Sequence, residues 1–174
     1  IFVQVEAENR KTLNPSEIDL PSHLVDGYIV TDNISKDHRH TNKYTVNNSF
    51  IDGKDFIKTP NENNDPVYKK IIASKAVKYI KSNTNIILGQ GLPELIGIQL
   101  REDNSKIKNT LSFMESGVIG GIPERRPDFG VAFGPSAFLT QDSQFVGFNG
   151  GHMDTAVLSF VEFDLFGNVN VSFI

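Results

Sequence analysis

The sequence predicts an α/β protein, an open and mostly parallel sheet with flanking helices. Three stretches carry that expectation. Asn85 to Arg101 reads as a short apolar strand, a glycine turn and a helix in succession, and Thr110 to Gly121, TLSFMESGVIGG, reads as a second strand running into a glycine-rich turn. Joined by a polar crossover at Ser105 to Lys108, they have the outline of a right-handed parallel β-α-β unit. Ahead of them, Asp65 and Pro66 open an amphipathic helix, with Asp as N-cap and Pro at the first helical position.

Taken in order, Ile1 to Ala7 alternates apolar and polar residues, Phe2 excepted, as a half-buried strand does. Asn9 to Ser16 is a polar loop. Ile18 to Val30 breaks around Pro21 and Gly27, which suggests short extended pieces and a turn. Thr31 to Asp65 is rich in Asn, Asp, Thr and Lys and reads as an interdomain connection, ordered only in part. His38 and His40 within it are spaced to face one way on a strand, but the chain has no cysteine and no third ligand at a diagnostic spacing, and Lys36 and Arg39 oppose a cation. No metal site is expected. His23 has no evident partner. In the helix after Pro66, Ile72, Ala76, Tyr79 and Ile80 recur at helical spacing, and Lys69, Lys70, Lys75, Lys78 and Lys81 occupy the remainder as a solvated face. Its end is expected near Ser82 or Asn83.

The composition bounds the class. At 174 residues, 39% hydrophobic and 22% charged, the chain is ordinary for a globular domain with a sizeable core. A net charge of -4 gives no general attraction to nucleic acid or to an anionic membrane, and no apolar run approaches the roughly 20 residues that span a bilayer. Without cysteine there is no disulfide and no thiol nucleophile. The chain starts at Ile1 in a strand pattern and ends in another, NVNVSFI, so it reads as an internal piece of a longer protein.

The chemistry concentrates at the sheet edge. Leu111, Phe113 and Glu115 share one face of their strand, so the pattern that buries two apolar side chains also aims a carboxylate. Gly117, Gly120 and Gly121 follow, allowing close backbone approach and free amide donors. Upstream, Gly89, Gln90 and Gly91 precede Leu92, Pro93 and a helix, an arrangement whose amides and dipole favour an anion. Gln90 is open to two roles, a hydrogen bond to substrate or a solvent-facing position. Ligands of open parallel sheets collect at the carboxyl ends of strands, where Gly89 and Glu115 both fall. Further on, Arg125 and Arg126 in PERRPD either clamp a phosphate bidentately or pair with Glu124 and Asp128 on an exposed loop, the commoner arrangement. Phe129 to Phe133 reads as a short strand, and Ser136 to Leu139 and Gln141 to Gln144 as irregular or a single helical turn. GGHMD, Gly150 to Asp154, then leads into a strand from Thr155 to Phe163, and DLFGN is a hairpin turn. No serine sits in a Gly-x-Ser-x-Gly elbow, which disfavours a serine hydrolase.

ESGVIGG, with GQGLP before it and GGHMD after it, resembles the ordered motifs of the family I coenzyme A transferases, and the opening IFVQVEA, DLPSHLVDGYIV and the ending GNVNVS are similar to family segments. The likeness touches most of the chain outside Asp32 to Asp65 and is greatest to single-chain acetate, propionate or 3-oxoacid transferases. It implies the CoA-transferase fold, with residues 1–46 ending the first half, 47–65 connecting, and 66–174 opening the second half. It also implies that Glu115 is the catalytic carboxylate, attacking an acyl-CoA and passing through an anhydride to a glutamyl-CoA thioester. Gly89, Gln90, Gly91, Gly117, Gly120, Gly121, Gly150, Gly151, His152 and Asp154 are implied to surround substrate or oxyanion, with amides near Gly89, Gly91 or Gly117 as donors. His152 is expected to shape the loop and Asp154 to hydrogen-bond, since carboxylate exchange requires no general base. Substrates would be an acyl-CoA and a short-chain carboxylic acid, as in ketone-body or fatty-acid metabolism, with no resident cofactor. The implied setting is a cytoplasmic homo-oligomer needing the rest of the protein, so this chain alone is expected to be inactive. Gln90 and PERRPD depart from the family, which more often has an apolar residue and small residues there. Two other readings stand: an acyl-CoA hydrolase, which would release free CoA without an acid, and a non-catalytic acyl-CoA-binding module, which would bind without covalent change.

Overall fold

The computed structural model describes residues 1–43, 45–52, 65–102 and 109–172. The chain divides into two compact units, Ile1–Asn47 and Asn48–Ile174.

In the first unit, β1 (Phe2–Val5) and β2 (Gly27–Val30) pair in parallel from Phe2↔Gly27 to Val5↔Val30. Val3 and Val5 are half-buried while Phe2 and Gln4 are exposed, the period of two that the sequence shows. A single-turn helix, α1 (Ile34–Asp37), starts where the Asn33 carboxamide accepts from the Lys36 amide. His38 follows this helix and His40 lies in irregular backbone, so the strand geometry that would align them is not formed. Among the described residues no group of three or more His, Cys, Asp or Glu is set to hold a metal. Nor is any helix there long and apolar enough to cross a membrane.

The second unit runs α2 (Val67–Val77), β3 (Asn85–Leu88), α3 (Leu92–Glu102), β4 (Leu111–Phe113), β5 (Val118–Ile119), β6 (Ile122–Pro123), β7 (Ala132–Phe133), β8 (Ala137–Phe138), α4 (Gln141–Asn149), β9 (Thr155–Val157), β10 (Glu162–Phe163) and β11 (Val169–Asn170). Five strands form a sheet in the order β8-β5-β4-β3-β9. β3 is parallel to both β4 and β9, as the β-α-β reading requires, whereas β5 is antiparallel to β4 and β8 to β5. The sheet is therefore mixed. The reason is local: the positive φ of Gly117, at 101°, turns the chain straight back after β4 instead of sending it across the sheet.

Helix α3 packs against β3 and α2 against α3, around a core of Ala73, Val77, Ile80, Ile86, Leu88, Leu95 and Ile96. Burying each of Ile86, Leu88 and Ile96 contributes roughly 2 kcal/mol. Gly97 lets α3 come this close, because a Cβ there would lie 2.8 Å from Leu88 Cδ1 and 3.0 Å from Pro123 Cγ. α2 buries Ala73 and Val77, spaced i, i+4, and Ile80 is buried just beyond its end, as expected, whereas Ile72 and Tyr79 are exposed, which shifts the face from the one expected. The helix ends at Val77, earlier than expected, and starts after Pro66 rather than Asp65. Asp65 is no cap because Arg125 holds both its carboxylate oxygens.

Phe50, expected in the interdomain connection, is buried in the second unit against the Phe133 ring, centroids 4.7 Å apart. Residues 53–64 of that connection and the crossover at Ser105 to Lys108 lie outside the described residues. Gln141 to Gln144, expected to be irregular or one helical turn, open the nine-residue α4. The expected strand from Thr155 to Phe163 is instead two, β9 and β10. The DLFGN turn closes the β10–β11 hairpin as expected, with the Asp164 carboxylate accepting from Phe166 N, Asn168 N and Asn168 Nδ2 at 2.7–2.9 Å.

Candidate active site

Glu115 stands on a tight loop. β4 stops at Phe113, two residues short of it, and Met114 takes the buried position, packed with Val118 and Ala132. The Gly117 amide donates to the Met114 carbonyl at 2.9 Å and the Met114 amide to the Val118 carbonyl at 3.0 Å. Glu115 and Ser116 are thus the exposed corner residues of a hairpin turn that Gly117 completes in the left-handed region. The parallel register Asn85↔Leu111 to Ile87↔Phe113 puts the Glu115 turn and the Gly89 bend just beyond the same ends of adjacent strands. Carboxylate and glycine bend share the carboxyl edge of the sheet.

Both glycine amides of the bend are engaged. The Gly89 amide donates to the Val157 carbonyl at 2.9 Å. The Gly91 amide donates to Glu94 Oε1 at 2.7 Å, a capping contact at the start of α3. With Gly117 bound to Met114, all three amides expected to hold an oxyanion already have acceptors within the chain. Glu94 is buried, and burial pushes its carboxyl above the usual range, opposed by the hydrogen bonds from the Gly91 and Arg126 backbone amides.

Gly120 and Gly121 serve packing. Their φ angles are 72° and 76°, and added Cβ atoms would lie 2.5 Å from Ser136 Oγ and 2.6 Å from the Phe133 carbonyl oxygen. They line a cavity of about 360 Å³ with Ile86, Gly97, Leu111 and Ser112, at the start of β4 rather than at Glu115.

GGHMD lies at the other end of the strands. The Asn85 amide donates to Asp154 Oδ2 at 2.7 Å, Asn85 Nδ2 donates to the His152 carbonyl at 3.0 Å, and the Asp154 amide donates to the Asn85 carbonyl at 2.9 Å. From Asn85 to Gly89 is four residues of strand, about 13 Å. Within this chain His152 and Asp154 therefore do not meet Glu115. Gly150 and Gly151 end α4: the Gly151 amide reaches the Phe148 carbonyl, the His152 amide reaches the Gly147 carbonyl, and Gly151 has a φ of 79°. This is a Schellman terminator, a sufficient physical reason for two glycines at that point.

Three contacts escaped the sequence reading. Ser159 Oγ donates to the Gln90 carbonyl at 2.8 Å, since β9 runs parallel beside β3 and delivers Ser159 to the same edge. Arg126 Nη2 donates to Gln90 Oε1 at 2.8 Å. Ser116 Oγ donates to the Gly130 carbonyl at 2.5 Å, so the loop between β6 and β7 touches both the glycine bend and the Glu115 turn. Arg125, expected on an exposed loop with Glu124 and Asp128, instead forms a fork with Asp65, while Glu124 and Asp128 are buried.

No family model matches the chain. It is 31% identical over 175 residues to the acetate CoA-transferase YdiF of Escherichia coli strain K12, covering 98% of this chain and 32% of that protein. It is 28% identical over 177 residues to the caffeate CoA-transferase of Acetobacterium woodii, covering 99% and 33%. In structure it superposes on the acyl-CoA transferase YdiF apoenzyme from E. coli O157:H7 with a TM-score of 0.68 at 29% identity, over 98% of this chain and 30% of that one. The thioester complex of that enzyme with CoA gives a TM-score of 0.65 at 26% identity, over the same shares. The chain spans about a third of the length of the relatives it matches, and over that third it is similar in sequence and in fold to the CoA-transferases.

Proposed function

We propose that this chain carries the nucleophile of a CoA-transferase, Glu115, and that the protein moves coenzyme A between an acyl-CoA and a short-chain carboxylic acid. The observation that carries the reading is that β3 and β4 are parallel neighbours, so an exposed carboxylate and a glycine bend both follow their carboxyl ends. The similarity to acyl-CoA transferases, one of them solved as a thioester complex with CoA, supports it.

The chemistry balances without a base. A Glu115 oxygen attacks the thioester carbonyl, the C–S bond breaks, and CoA leaves as thiolate from a mixed anhydride. The thiolate then attacks the glutamyl carbonyl of that anhydride, the C–O bond breaks, and the first acid departs as carboxylate. The glutamyl-CoA thioester that remains is opened by the incoming carboxylate through the same two steps reversed. Each addition makes an oxyanion, and its donors are groups other than the engaged amides of Gly89, Gly91 and Gly117. The rest of the protein completes the cleft, and a cytoplasmic homo-oligomer is the family expectation carried with this proposal.

The test uses the full-length protein: incubation with acyl-CoA, trapping with borohydride and mass spectrometry to locate the modified residue. Modification at Glu115 is expected. Label elsewhere, or none, defeats the mechanism, and free CoA released without an acid acceptor marks a hydrolase instead.

A further inference from the structure

With the amides of Gly89 and Gly91 engaged, the remaining hydrogen-bond donors of the glycine bend are the backbone amide and the side chain of Gln90. That side chain is not loose. A guanidinium has donors only, so the contact from Arg126 Nη2 at 2.8 Å requires the amide oxygen to face Arg126 and turns the two N–H bonds of Nε2 away from it. The backbone beneath is fixed from three sides: Ser159 Oγ on the Gln90 carbonyl, Val157 on the Gly89 amide, and Glu94 on the Gly91 amide. Arg126 lies near the buried Glu94 carboxylate and favours its charged form. Its loop is tied to the Glu115 turn through Ser116 and Gly130. The neighbouring Arg125 cannot substitute, since both ends of its fork are held by Asp65.

We infer that Arg126 is a positioning residue: by holding Gln90 Oε1 it orients the Gln90 carboxamide so that Nε2 donates to the acyl oxygen as charge develops during attack at Glu115. This rests on the transferase reading. A donor preset by a second side chain acts in the transition state without reorganising, and loss of one such donor typically slows chemistry by about 100-fold or more.

The test is single-turnover modification of Glu115 in the full-length protein by acetyl-CoA, followed by mass spectrometry across a concentration series. Gln90→Ala and Arg126→Met are each expected to lower the maximal rate by about 100-fold, with half-saturation changed by less than about threefold. The double variant should be no slower than Gln90→Ala alone, because the two act as one unit, and Arg126→Lys should restore part of the rate. Gln90→Glu decides between positioning and mere support: it keeps an oxygen for Arg126 but replaces the N–H donor. It should be as slow as Gln90→Ala, and a rate near wild type overturns the inference. Additive losses in the double variant overturn it too. A wild-type protein that takes no label at Glu115 overturns the transferase reading itself, a result separable from wild-type labelling that Gln90 and Arg126 do not affect.

Discussion

Arg125 grips Asp65 across sixty positions of sequence, Nη1 to Oδ2 at 2.7 Å and Nη2 to Oδ1 at 2.6 Å, tying the start of α2 to the loop between β6 and β7. The Asp65 side chain is 7% exposed, so removing its charge leaves a guanidinium short of its partner. Asp65→Asn should cost about 3 kcal/mol at neutral pH, read by chemical denaturation. The pairing holds the Asp65 carboxyl below its ordinary value, so the folded chain binds that proton more weakly than the unfolded one. The stability it contributes is present above the ordinary Asp value of about 3.9 and is lost as pH falls through the lowered one. The variant should show a correspondingly flatter acid limb.

Glu94 has the opposite sign. Burial raises its carboxyl, so the stability linked to it is fully present below the ordinary Glu value and declines as pH rises through the raised one. Glu94→Gln keeps an oxygen for the amides of Gly91 and Arg126 and should abolish that decline. Denaturation midpoints compared across the weakly acid to neutral range would detect it, and an unchanged slope would count against the account.

At Gly117 the constraint is steric. A Cβ there would lie 2.0 Å from the Leu139 carbonyl oxygen, at a φ of 101° that L side chains rarely adopt. Gly117→Ala should destabilise by roughly 3 kcal/mol, through backbone strain and displacement of the β8 end. The matching control is Gly151→Ala: its φ is 79° but nothing lies within 4 Å of the added carbon, so its cost should stay near about 1 kcal/mol.

The β-α-β unit was legible because its signals are local: a short apolar run in NIIL, a glycine bend, and a helix start at Leu92 and Pro93. What the sequence hid was set by distant pairings. Asp65 has the chemistry of an N-cap, and only the fold shows that Arg125 takes both its oxygens. α4 went unseen because Phe145 and Val146 are exposed and no apolar stripe marks it; the readable signals were its ends, Thr140 and the Gly150–Gly151 pair. Missing the helix also hid that those two glycines terminate it. At the candidate site, the shared sheet edge of Glu115 and Gly89 followed from strand order, whereas the contacts of Ser159 and Arg126 required the parallel β9 and the β6–β7 loop to be in place.

Distance along β3 separates the roles of the two acidic motifs. Glu115→Gln changes an exposed residue and should leave stability within about 0.5 kcal/mol while lowering transfer by about 10,000-fold or more. His152→Ala should leave transfer within about threefold, because its contact to Asn85 runs through the backbone carbonyl. Asp154→Ala removes the acceptor of the Asn85 amide and should cost about 1 kcal/mol of stability with little change in turnover. Steady-state transfer assays paired with thermal unfolding of each variant check all three.

The short corner between β4 and β5 bears on the timing of the proposed cycle. A side chain that is acylated, thioesterified and freed again within one turnover must return each time to the same place, or the second half-reaction meets a different geometry from the first. Mounted between two cross-strand bonds, with a neighbouring hydroxyl moored to Gly130, Glu115 has a base that stays put while its cargo changes.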